Sequence, residues 1–126
     1  MLIAAERSSQ GLDELIGDDD DVVIAAVTAA ELLVGVELAA PRRRRARQGF
    51  VDSLLASIPV EPFDLDVATV HAALLAHTHR SGRPRGAHDL LIAATARAKR
   101  RTVVTADQTG FVGLPDVDVV VLRSRA

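Results

Sequence analysis

Residues 87–96, Ala-His-Asp-Leu-Leu-Ile-Ala-Ala-Thr-Ala, constrain this chain more than any other stretch. Ala and Leu favour helix. The apolar positions are not confined to one stripe, so the segment reads as a central helix covered on most sides. In a chain of 126 residues that cover must come from a single domain, residues 1–126, with one moderate core. Asp89 falls in the first turn of this helix. A carboxylate there either caps the helix and complements its dipole, or serves as a metal ligand at the rim of the core. Both readings stand at this point.

The rest of the chain predicts what surrounds that helix. Val22-Val23-Ile24-Ala25-Ala26-Val27 is a continuous apolar run, the pattern of a strand buried on both faces of a parallel sheet. Thr28 with Glu31 three residues on has the form of a capping box, which predicts a helix starting there and stopping at Pro41. Leu12, Leu15 and Ile16 stand at helical spacing before Gly17. Phe50, Leu54 and Leu55 give a later helix its apolar side, and Ser57–Val60 reads as a short edge strand because Pro59 cannot donate to a ladder. Asp64 to Asp66 introduce an amphipathic helix carrying Val67, Val70, Leu74 and Leu75, and residues 81–86 form a loop. Thr102–Thr105 is a strand, 106–111 a loop or short helix, and 117–122 the last strand. Such alternation predicts an α/β fold of right-handed βαβ units, with a mostly parallel central sheet and helices on both faces.

Composition removes several function classes. There is no cysteine, which excludes disulfides, thiolate zinc sites and thiol catalysis and fits a cytoplasmic setting. Aromatic residues are only 2%, so Leu, Val, Ile and Ala must build the core. No apolar run approaches the ~20 residues that span a bilayer, and the first residues carry no basic lead of the kind a secretion signal has. The net charge is −2, so contact with nucleic acid requires a local basic patch. Arg42, Arg43, Arg44, Arg45 and Arg47 supply one, either as a solvated helix start or as phosphate contacts. The Asp18–Asp21 run reads as a solvated turn, since it lacks the alternating ligand spacing of an EF-hand loop. His71, His77 and His79 contain no pair three or four apart, so they do not form a helix-face zinc set.

Three carboxylates share a context. Glu31 follows the strand at residues 22–27 and Asp107 follows the strand at 102–105, so both belong at the same edge of a parallel sheet. Functional groups gather beyond the carboxyl ends of such strands. If Asp89 reaches that edge, three like charges require a counter-charge. Mg²⁺ or Mn²⁺ is the natural one, because hard cations take carboxylate oxygens and can activate a water against a phosphodiester. The alternative is three capping or turn acids.

The ordered set of segments resembles the PIN-domain ribonucleases, and among them the VapC toxins of bacterial toxin–antitoxin pairs. Leu2-Ile3-Ala4-Ala5-Glu6-Arg7 looks like the end of the family's opening strand and turn. Thr28-Ala29-Ala30-Glu31-Leu32-Leu33-Val34-Gly35 is similar to its second block, 87–96 to its third, and Val103-Val104-Thr105-Ala106-Asp107 to its fourth. The resemblance implies a three-layer PIN-like fold and a Mg²⁺- or Mn²⁺-dependent endoribonuclease. Glu31, Asp89 and Asp107 would be the catalytic, metal-holding acids, and Thr28 and Thr105 would support them. Arg83 and Arg85 would contact RNA, with Arg42–Arg45 joining them if they face the groove. It also implies a VapB-type antitoxin partner and a homodimer.

One departure stands out. The family's first block begins with an Asp, and here Met1 falls where that block is already under way. The resemblance therefore places a further Asp just ahead of Met1, with a first strand truncated by the start. A chain without that Asp could instead be a catalytically impaired PIN fold that still captures antitoxin or RNA. A phospho-acceptor receiver is the remaining doubly wound alternative. It needs a Lys after its last strand, and the only Lys here is Lys99, at the end of the central helix.

Overall fold

Val22, Val23 and Ile24 alternate in direction, and that alternation sets the layers of the molecule. The computed structural model describes residues 2–3 and 21–121. The expected helix around Leu12–Ile16, the Asp18–Asp20 part of the acidic run and most of the opening block lie outside the described residues. Five strands occur in chain order: β1 (Leu2–Ile3), β2 (Val23–Ala25), β3 (Val60–Glu61), β4 (Val103–Thr105) and β5 (Val119–Val121). They pair in parallel throughout, in the order β3-β2-β1-β4-β5. The chain thus steps outward from β1 to β3 and then crosses to the other side for β4 and β5. In open α/β sheets functional groups gather where that direction reverses, here beyond the carboxyl ends of β1 and β4.

Four helices complete the fold: α1 (Ala26–Glu37), α2 (Pro41–Ser57), α3 (Leu65–Ser81) and α4 (Ala87–Ala98). Val23 and Ala25 pack with Val67 and Leu74 of α3 and with Leu90, Ile92, Ala93, Ala94 and Ala96 of α4. Val22 and Ile24 turn the other way, toward Ala29 and Leu32 of α1 and Leu54 and Leu55 of α2. Helices therefore cover both faces of a parallel sheet, as expected. The 87–96 run is the central buried helix: Leu90, Ile92, Ala93, Ala94 and Ala96 are at most 2% exposed. Thr95, the polar member of that row, donates its hydroxyl to the Leu91 carbonyl at 2.8 Å. No described helix is long and apolar enough to cross a membrane.

Several local expectations shift. The capping box does not form. Ala25 is already the extended N-cap residue and α1 starts at Ala26, so Thr28 lies inside the first turn rather than ahead of it. Pro41 does not stop α1, which ends at Glu37. It opens α2, at a position where a missing backbone N–H costs nothing. Arg44 donates to the Glu37 carbonyl at 2.7 Å and so closes the end of α1. Ser57 belongs to α2, and the edge strand is only Val60–Glu61. Asp64 is the N-cap of α3, accepting the Val67 N–H at 3.0 Å.

Long-range ion pairs fasten the end of α4 to the opposite edge. Lys99 pairs with Asp64 at the start of α3. Arg101 reaches Glu61 of β3 at 3.1 Å and Asp21 at 2.8 Å.

Candidate active site

Asp107 leaves β4 at the carboxyl edge of the sheet, and its surroundings fix it there. The Thr105 hydroxyl donates to the Asp107 carbonyl at 3.0 Å and accepts the Asp107 N–H at 3.2 Å. Asp107 then caps a short 3₁₀ turn, Gln108–Gly110. Its Oδ1 accepts the Thr109 N–H at 2.9 Å and the Thr109 hydroxyl at 2.5 Å. Those two bonds, the hydroxyl foremost, hold its carboxyl below the usual range, with burial opposing weakly.

Asp89 approaches from the other side, in the first turn of α4, whose N-cap is Gly86. It is half-buried. Burial and then the negative charge of Asp107 raise its carboxyl above the ordinary carboxylate value, while neighbouring His88 pulls it down. The two acids are thus electrostatic neighbours with opposite shifts, one stabilised as an anion and one strained as an anion. Asp89 reaches this place because Gly110 has no side chain. A β-carbon on Gly110 would stand 2.1 Å from Asp89 Oδ2, and one on Gly86 3.4 Å away.

Glu31, one turn into α1, accepts a bond from His88 rather than meeting the aspartates directly. His88 Nδ1 and Glu31 Oε1 are 2.5 Å apart. The acids therefore form a string, Glu31–His88–Asp89–Asp107, running across α1, α4 and the loop after β4. Among the described residues no three acidic or histidine side chains converge as a set able to hold a metal. In kind, however, the donors fit a hard divalent cation. They are carboxylate oxygens at the switch point of the sheet, and the elevated carboxyl of Asp89 is the penalty that a neighbouring cation relieves. Thr28, one helical turn before Glu31, is 3% exposed and its hydroxyl has no hydrogen-bond partner among the described residues.

The two arginines expected at RNA part company. Arg83 is exposed. Arg85 is half-buried, and its guanidinium lies on the loop after Asp107. It donates to the Thr109 carbonyl at 2.8 Å and also to the Val112 carbonyl. Arg42, Arg43, Arg45 and Arg47 stand exposed on the first turns of α2. Residue-by-residue reading passed over His88, Thr109 and Gly110. Only His88 carried a sequence signal, its adjacency to Asp89. The other two act through a loop closure that no local spacing reveals.

Comparison with known proteins gives this arrangement a family. A PIN domain profile matches residues 2–114. Ribonuclease VapC5 of Mycobacterium tuberculosis is 38% identical over 118 residues, spanning 92% of this chain and 87% of that protein. The crystal structure of VapBC-5 from the same organism, a member of the VapBC family of toxin–antitoxin systems, superposes with a TM-score of 0.81 at 31% identity. The match covers 96% of this chain and 97% of the other. DNA-bound VapBC from Salmonella typhimurium shares the fold with a TM-score of 0.85 at 20% identity, over 94% and 95% of the two chains. The chain belongs to the PIN-domain family and, within it, to the VapC group.

Proposed function

We propose that this protein is the toxin of a toxin–antitoxin pair, a Mg²⁺- or Mn²⁺-dependent endoribonuclease acting in the cytoplasm as a homodimer. A VapB-type antitoxin would neutralise it. The observation that carries the reading is the pairing of Asp89 with Asp107 at the carboxyl edge of the sheet, where burial and mutual repulsion leave Asp89 short of positive charge. The names of the relatives support the nuclease and the antitoxin partner.

In this reading Asp89 and Asp107 would hold the cation, and Glu31, engaged by His88 in this structure, would turn from that histidine to complete the set. Once bound, the cation would neutralise the acids, orient a water and stabilise charge developing on the phosphodiester. The chain's own residues do the rest. Thr109 fixes the rotamer of Asp107, and Thr105 fixes its backbone. Asp89, held half-buried beside Asp107, presents its carboxylate from the first turn of α4. His88 holds Glu31 against the first turn of α4. The exposed Arg83 and the basic start of α2 are available to RNA phosphates.

Incubation of purified protein with single-stranded RNA tests the proposal. Cleavage should require Mg²⁺ or Mn²⁺ and stop with EDTA; cleavage that continues in EDTA rules out the metal-dependent reading. A second reading, a PIN fold that binds antitoxin or RNA but cleaves poorly, draws on the engagement of Glu31 with His88 and the absence of a three-acid set among the described residues. It predicts antitoxin binding without cleavage in either metal.

A further inference from the structure

We infer that Arg85 is the positioning residue of the Asp89–Asp107 pair, and this rests on the function proposed above. The inference starts from the loop after β4. The Gln108–Gly110 turn is a single 3₁₀ turn, continued by bonds from the Phe111 and Val112 N–H groups to the Gln108 carbonyl at 2.8 and 3.0 Å. Such a short element leaves its later carbonyls without helical donors. The Thr109 carbonyl of that turn and the Val112 carbonyl just beyond it are taken by one guanidinium. A planar fork with several fixed donors suits that task, whereas a Lys ammonium would meet the two carbonyls as a flexible point charge. Gly113, at a positive φ of 82°, turns the loop beside Arg85 Nη2.

The location of the clamp gives it a consequence for chemistry. Arg85 sits four residues before Asp89, on the segment leading into α4, and Gly86 beside it is the N-cap of that helix. The carbonyls it holds flank Gly110, against which Asp89 Oδ2 lies. One of them belongs to Thr109, whose N–H and hydroxyl hold Asp107. A single side chain therefore joins the strand of chain that delivers one acid to the strand of chain that orients the other. Arg85 acts on the two carboxylates through Thr109 and Gly110. Both terminal nitrogens of its guanidinium donate to the protein's own carbonyls.

Arg85→Ala and Arg85→Lys test this, with Arg97→Ala as control. Arg97 also ties α4 to the later loop, at Pro115 (3.5 Å) and Asp116 (3.7 Å), but away from residues 109–112. In Arg85→Ala the Thr109 amide should lose hydrogen-exchange protection, kcat for RNA cleavage should fall about 10- to 100-fold, and KM should stay within about twofold. Arg85→Lys should lie between. Arg97→Ala should leave all three readings at the wild-type level. A raised KM with unchanged kcat in Arg85→Ala would make Arg85 an RNA contact and overturn the inference. Unchanged Thr109 exchange, or an equal kcat loss in Arg97→Ala, overturns it as well. If the wild type cleaves no RNA, the proposed function fails, and the exchange reading on Thr109 still decides the role of Arg85.

Discussion

Asp89 Oδ2 lies so close to the backbone of Gly110 that a β-carbon there would stand 2.1 Å from it and 3.1 Å from Asp89 Cβ. Two stretches of chain more than twenty residues apart are thereby fitted to each other at the centre of the site. Gly110→Ala should push the carboxylate out of place. The expected result is a loss of cleavage of about 10- to 100-fold, with a destabilisation of about 1–3 kcal/mol from overpacking. Paired cleavage assays and thermal melts check it, and an active, fully stable alanine variant would show that Asp89 has another place to go.

Asp89 should carry a stability penalty. Its carboxyl is raised above the ordinary value of 3.8, first by burial and then by Asp107. The native state therefore holds this proton more tightly than the unfolded chain, and the contribution to stability falls as pH rises above that value. Asp89→Asn removes the ionisation. The variant should melt about 1–3 °C higher at neutral pH, a small gain because solvent screens part of the charge. The difference should close as the pH drops below about 4. Melting curves across pH check the sign.

Thr109→Val works in the opposite sense. Asp107 is held low by the Thr109 hydroxyl first and the Thr109 N–H second. A lowered carboxyl stabilises the fold above its unfolded value and loses that effect as pH falls through its folded value. The valine variant should therefore be less stable than wild type at neutral pH and equal to it in strong acid. Its cleavage should drop about tenfold as the Asp107 rotamer is freed. Carbon-detected NMR titration of Asp107 reads the shift directly, and an unmoved titration contradicts the assignment.

Stability can also be altered away from the site. Asp64 caps α3 and pairs with Lys99, and its carboxyl is lowered mainly by that lysine. Asp64→Ala should lower stability through the lost cap, a loss that fades as pH falls through the depressed carboxyl. Activity per folded molecule should not change. Denaturant unfolding alongside active-site-normalised cleavage separates the two.

How much of this was legible in the sequence depends on the range of the interaction. The apolar row of α4 and the both-sided burial of β2 are properties of consecutive residues, so 87–96 and 22–27 announce the central helix and the parallel sheet. The order of acids around Glu31, Asp89 and Asp107 announces the family. Boundaries failed where a local pattern had two physical uses. Thr28 and Glu31 read as a capping box, yet the chain enters helix directly from Ala25 and Glu31 turns to His88 instead. Pro41 suits both the stopping of one helix and the starting of the next. The roles of Arg85, Thr109 and Gly110 were illegible because they depend on one loop folding back onto another.

The most direct test of the Asp89–Asp107 centre is RNA cleavage by Asp89→Asn, Asp107→Asn and the double variant, measured in Mn²⁺ against wild type. Groups acting as one unit are not additive. Each single variant should lose at least about 100-fold, and the double variant should be no worse than either. Singles that retain cleavage, or losses that multiply in the double variant, would contradict a shared catalytic centre.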